Sequence, residues 1–365
     1  MAKKILTLVK RIFSIIIGLV AAYTLFNIIY ELFDDGYFLF YEYVIFLIVS
    51  VFLIVFLVLW NIRKSKYVYF LLFIPVSLVC GYIFWLQHYD SEDDYILEIN
   101  YGGAPTITGY IGDKTDLRIP RKAQKMDIWK IGEYSFSNTG LTSVVIPQEI
   151  YSIDEYAFAN NKLKKINIPN TVRHIFEGAF QSNQLTEVNL SRNLTVIGKN
   201  AFWNNQIKKI KIHRGVTSIR DYAFAVNKLE SVSIPNSVTH IHYRAFTNNN
   251  LTNVIIPNSV TYIGDWAFAM NKLTSVTISS GISEIGNMVF GLNELTSIVI
   301  PDNVTSIKNH AFTMNRQLTS ISIGSNVIIE EDGGFLFDFA EFYKDMGSRA
   351  GLYTYNKGGW TVQFR

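Results

Sequence analysis

The chain has 365 residues, 49% of them hydrophobic, with one cysteine and a formal net charge of +3. A single thiol excludes an intrachain disulfide, a CxxC metal site and a redox pair. Residues 1–89 hold seven Lys/Arg against four acids, which is the whole excess, while the rest balances at 26 of each; a neutral domain of this size argues against nucleic-acid binding.

After a basic N-terminus at 1–11, the first predicted elements are three transmembrane helices, at 12–33, 41–60 and 67–86. Each is a predominantly apolar stretch of about 20–22 residues, long enough to cross the ~30 Å core of a bilayer. Tyr37, Tyr41, Trp60, Tyr67 and Trp85 gather near their ends, as interface anchors do. Lys3, Lys4, Lys10 and Arg11 precede the first span, and Arg63, Lys64 and Lys66 follow the second. The loop after the first span has no base, and basic loops stay in the cytoplasm. The N-terminus is therefore expected inside and everything beyond the third span outside. The first span resembles a signal peptide, but two more spans follow it, so an uncleaved anchor is expected. Cys80, inside the third span, reads as a packing residue.

Residues 87–113 read as a linker and N-terminal cap. From 114 to 317 the chain repeats itself. An irregular unit covers about Lys114 to Gly140, and eight 22-residue units begin at Leu141, Leu163, Leu185, Ile207, Leu229, Leu251, Leu273 and Leu295. Only the last is longer, by one residue at Arg316-Gln317. One column reads Phe136, Phe158, Phe180, Phe202, Phe224, Phe246, Phe268, Phe290 and Phe312; another reads Asn161, Asn183, Asn205, Asn227, Asn249, Asn271, Asn293 and Asn315.

A fixed period with L-x-x-L-x-L spacing is the mark of a leucine-rich-repeat solenoid. Positions 4 and 6 of each unit alternate with polar neighbours, which predicts a short strand with one buried face. Pro at position 7 ends it, since it cannot donate to a ladder. Apolar positions 10, 13, 17 and 18 fill the return path. The Phe column is expected to stack as a buried spine, and the Asn column to point inward and bond backbone amides of the turn. No unit can bury its apolar face alone, so sameness permits stacking. The fold class is thus a three-helix all-α transmembrane region followed by a β-rich solenoid of 22-residue coils. Residues 318–365 supply a last strand and C-terminal cap, with Phe335, Phe337, Phe339, Phe342, Tyr343, Tyr353 and Trp360 folding over the final coil. Tyr95–Tyr110 should cap the first.

The stretch "IPNSVTYIGDWAFAMNKLTSV" resembles the repeat of BspA-like (treponemal-type) leucine-rich-repeat proteins, in which an IG-x-x-AF turn leads to Cys or Asn. "TITGYIGDKTDLRIP" (Thr106–Pro120) resembles that family's opening unit, and Phe339–Trp360 the closing segment of some members. The resemblance implies extracytoplasmic display and adhesion, or binding of proteins and glycans. It brings no catalytic residue and no cofactor. Three spans depart from the single signal or anchor of a secreted adhesin, so in a double-membraned cell the repeats would face the periplasm.

Positions 2, 3 and 5 should form the exposed face of the strands. Lys164 and Lys165 in one coil and Lys208, Lys209 and Lys211 two coils on, with Glu187, Asn167 and Asn189 among them, make a candidate ligand face. It suits an anionic glycan or acidic protein, or it is a solvated face that discourages association. Val145, Ile255 and Val299 are apolar at position 5 and could mark partner contacts. His240 and His242 form an H-x-H pair, while His174 and His213 sit in other coils, too far apart for metal ligands to converge. Tyr156, Tyr222 and Trp266 share position 16, with Trp203 near, and read as convex-side packing or a sugar-stacking stripe. A repeated turn offers no singular nucleophile and base, so an enzyme is not expected. The expected role is recognition; the alternative is an assembly subunit acting through its membrane helices.

Overall fold

The computed structural model describes residues 94–99, 105–123, 125–330, 339–356 and 359–365. All lie within one compact unit, Asp90–Arg365. The spans read at 12–33, 41–60 and 67–86 lie outside the described residues. Among the described residues no helix is long and apolar enough to cross a membrane, and the one helix is Phe339–Asp345.

Each coil opens with a front strand at positions 3 to 5, as in Lys165–Asn167 and Glu187–Asn189, with the middle residue turned inward. Ten such strands run from Asp116–Arg118 to Ser320–Ile323 among the described residues. Their register keeps like positions level: Ile166 faces Val188, and Val254 faces Val276. Ladder bonds join front strands two by two, Lys165–Asn167 to Glu187–Asn189, then Lys209–Lys211 to Ser231–Ser233.

A second strand, absent from the expectation, lies at positions 12 and 13. These two-residue strands, such as His174–Ile175 and Val196–Ile197, form a parallel back sheet. It runs through nine strands from the N-terminal hairpin to Tyr262–Ile263 and resumes as three strands ending at Ile328–Ile329. Its inward residue, Ile153, Ile175 or Ile197, is fully buried.

The turn after the back strand forms a third stack. Residues at positions 16 and 20 are left-handed in coil after coil: Tyr156 and Asn160 at φ 55 and 57, Tyr222 and Val226 at 55 and 56. With this alternation the amides of positions 16, 18 and 20 point along the solenoid axis. The N–H groups of Tyr156, Phe158 and Asn160 accordingly reach the carbonyls of Glu177, Ala179 and Gln181 one coil on, at 2.8, 2.8 and 3.0 Å.

Inside this turn the Phe column is a spine of parallel rings. From Phe136 to Phe312 successive centroids lie 5.1–5.9 Å apart with interplanar angles of 1–18°. All nine rings are buried. Each Asn of the second column fastens two coils. Asn205 Oδ1 accepts from the Leu185 amide at 3.0 Å, while its Nδ2 donates to the Phe180 carbonyl at 2.9 Å and the Phe202 carbonyl at 3.2 Å. The same pattern recurs at Asn161, Asn227, Asn271 and Asn293. A buried amide satisfied on both its oxygen and nitrogen carries no desolvation deficit.

Both ends are closed. Tyr95–Ile99 pairs antiparallel with Pro105–Tyr110, which joins the back sheet beside Lys130–Ile131. Tyr95 and Tyr110 meet the first ring of the spine, at 6.3 and 5.7 Å from Phe136. At the other end Gly351–Asn356 runs antiparallel to Ser320–Ile323 and to Gly359–Phe364. Phe339, Tyr343 and Tyr353 are buried there, and the Tyr343 hydroxyl donates to the Gly324 carbonyl at 2.7 Å. Phe335 and Phe337 lie outside the described residues.

Candidate ligand-binding face

Strand alternation turns position 4 into the core and leaves positions 3 and 5 outside. On this rule Lys165, Asn167, Glu187, Asn189, Lys209 and Lys211 are exposed on one side of the front strands, and Lys164 and Lys208 at position 2 are exposed beside them. The apolar position-5 residues stand on the same side, Val145 at 48%, Ile255 at 69% and Val299 at 61% exposure. They lie in different coils and so do not form one patch.

The register sets the electrostatics of this face. Glu187 is level with Lys165, and their charged groups are 2.8 Å apart. Lys209 and Lys211 are level with Ser231 and Ser233 instead, which offer no charge. The coil of Lys208, Lys209 and Lys211 therefore carries three cations without an ion pair among the described residues, with Glu230 beside Lys208 in the next coil. The positive cluster extends to a position the sequence reading passed over. Burial, then the charges of Lys211 and Arg192, hold the His213 pKa below its ordinary 6.5, so Arg192 at position 8 belongs to the same cluster. The signal was present in the spacing, because Arg192 and Arg214 share position 8 in successive coils, three residues past the front strand.

The other singled-out residues have intramolecular roles. His242 Nε2 hydrogen-bonds Ser218 Oγ at 2.8 Å, and His240 Nδ1 hydrogen-bonds Thr239 Oγ1 at 2.8 Å. Among the described residues no group of three or more His, Cys, Asp or Glu could hold a metal ion. In the position-16 column Tyr134 stacks on Tyr156 at 5.0 Å, and the Tyr156 hydroxyl donates to Glu177 at 2.9 Å. Burial first, and Glu177 second, push that phenol up to about 12. Arg244 occupies the same column with its guanidinium 4.7 Å from the Trp266 ring centroid and 5.8 Å from that of Tyr222. Tyr222 and Trp266 thus pack against a residue of their own chain.

A stack of short coils with a parallel front sheet, an Asn column and an aromatic spine defines a leucine-rich-repeat solenoid. The stretches 115–230 and 217–335 match the family described as BspA type leucine rich repeat region, in six copies, and the chain belongs to that family. A solved leucine-rich repeat protein from Bacteroides ovatus is 28% identical with a TM-score of 0.55, covering 65% of this chain and 66% of that one. A leucine rich cell surface protein from Faecalibacterium prausnitzii is 25% identical over 64% of this chain and 88% of its own, with a TM-score of 0.31. The pneumococcal vaccine antigen PcpA is 21% identical over 65% of this chain and 82% of its own, with a TM-score of 0.41. No curated protein matches. The chain spans 66% of the length of the Bacteroides ovatus protein.

Proposed function

We propose that this chain is a non-catalytic recognition module, held in a membrane by spans at 12–33, 41–60 and 67–86, with its repeats outside the cytoplasm. It binds proteins or glycans in adhesion or in contacts of the cell envelope. The observation that carries the reading is the front face, where positions 3 and 5 stay exposed from Ser297–Val299 back to Lys165–Asn167. Equal coils give a long shallow surface, suited to extended partners and poorly suited to enclosing a small substrate. Membership of the repeat family is consistent with such a role.

The test is capture from cell-envelope extracts and on a glycan array, using residues 95–365, beside a variant with Asn253→Arg, Ile255→Arg and Val299→Arg. Capture that the variant loses is expected. Inertness of both proteins on every surface offered would contradict the proposal.

A further inference from the structure

The balance of charge in residues 90–365 conceals a strong local excess. Between Lys162 and Lys228 the sequence places 12 Lys/Arg against three acids, a formal charge of +9. Residues 90–161 carry −6 and residues 229–365 carry −3. Three consecutive coils are therefore a basic belt in an otherwise acidic solenoid.

The fold decides where that charge faces. Two of the three acids, Glu177 and Asp221, sit at position 15 on the turn side. Glu177 accepts from Tyr156 and lies 3.5 Å from Lys199, and Asp221 accepts from the Tyr243 amide. The third, Glu187, is on the front face and is spent on Lys165. Lys164, Arg192, Lys208, Lys209, Lys211 and Arg214 have no acidic partner among the described residues, and all six are exposed. Arg192 and Arg214 share position 8 in successive coils, about 4.8 Å apart on parallel-strand spacing. Both Arg192 and Lys211 act on His213, so the cluster converges across coils. Like charges held together repel, and a bound polyanion relieves that repulsion.

We propose that this belt is the binding site for a linear anionic polysaccharide laid across the second, third and fourth full coils. The inference rests on the recognition role proposed above and names the ligand class for this part of the surface. Charges spread in a row over a flat face suit a chain with repeated anionic groups better than a single ion. Positions 2, 3, 5 and 8 of these coils carry no aromatic residue, so bases have nothing to stack on and single-stranded nucleic acid is disfavoured. The apolar position-5 residues stand in other coils, which leaves an acidic peptide without an anchor. Apart from Glu187, paired with Lys165, and Glu230 at the edge, what accompanies the cations is amide and hydroxyl, Asn167, Asn189 and Thr186 in the belt with Ser231 and Ser233 beside it, fit partners for sugar hydroxyls.

The experiment measures binding of the full-length protein in neutral detergent to heparin, a sulfated chain, and to polygalacturonate, a carboxylated one. Neutral dextran, poly-glutamate and a single-stranded DNA oligonucleotide serve as controls. Binding to at least one anionic polysaccharide is expected, and which one tells sulfate from carboxylate. It should weaken at least about tenfold between about 50 and about 200 mM salt. Lys208→Gln/Lys209→Gln/Lys211→Gln should lose at least about tenfold with its melting temperature kept. The matching triple Lys→Arg variant should bind like wild type, as should Lys272→Gln/Arg316→Gln outside the belt. Failure of both anionic polysaccharides, equal binding by the triple Gln variant, or tighter binding of poly-glutamate or DNA would overturn the proposal. Capture of a protein partner by a chain that binds neither anionic polysaccharide would overturn it while leaving the recognition role standing.

Discussion

Asn205 shows how much one side chain holds in this fold. It answers one amide and two carbonyls from two coils, at 2.9–3.2 Å. Asn205→Leu keeps the volume but orphans the buried Leu185 amide and removes one of two amide donors from each carbonyl, which Asn183 and Asn227 still serve, so a loss of about 1–3 kcal/mol is expected in chemical denaturation. Val226 presents the opposite case. It holds a φ of 56 at position 20, where neighbouring units carry Asn160, Asn204 and Asn248 at similar angles. A β-branched residue is strained there, and Val226→Asn should stabilise the protein by about 1 kcal/mol. His242 gives a pH dependence with a definite sign. Burial, then Arg220, keep its folded pKa below 6.5, against a weaker opposing effect of Asp221. The unfolded chain then binds this proton first as pH falls. Stability is full above about 6.5 and declines as pH drops through the window beneath it. In thermal melts His242→Gln should flatten that decline, and a profile unchanged by the substitution would contradict the assignment.

At the scale of elements, what the sequence disclosed followed from what alternates and what repeats. The front strand was legible because positions 4 and 6 are apolar between polar neighbours over several residues. The back strand was not, since two residues such as His174 and Ile175 are too short to display a period. The left-handed turns were hidden as well, because position 16 carries Tyr156, Tyr222, Arg244, Trp266 and Met288, against Gly178, Asn200 and His310 of the types that favour such a conformation. On the candidate face, exposure of Lys164 or Lys209 could be read from position alone. The pairing of Lys165 with Glu187 could not, since it depends on register between coils. Two element-scale outcomes follow. Phe224→Ala opens a gap between rings 5.5 and 5.7 Å away on either side and should cost about 3–5 kcal/mol. Removal of residues 335–365 strips the helix and both strands that cover the final coil, exposing apolar surface and a strand edge. Size-exclusion chromatography should then show aggregation, and a folded monodisperse product would refute the capping role.

For the whole molecule, the proposed role requires that the exposed side of the strands meet the outside world and that the strands lie beyond the membrane proposed to hold the spans at 12–33, 41–60 and 67–86. Both can be read with thiols, since Cys80 is the only native cysteine. In a Cys80→Ser background, single cysteines would replace Asn167, Ile255 and Val299 at position 5, and Ile166, Val254 and Ile298 at position 4. The first three residues are exposed and the last three only 2–3% accessible. A further cysteine at Ser65 reports the loop between the spans proposed at 41–60 and 67–86. The measurement is labelling by a membrane-impermeant maleimide on cells whose inner membrane is intact. Position-5 cysteines should label at once, position-4 cysteines only after denaturation, and Ser65→Cys only after lysis. Equal labelling of positions 4 and 5, or labelling of the repeats only after lysis, would contradict an outward-facing recognition solenoid.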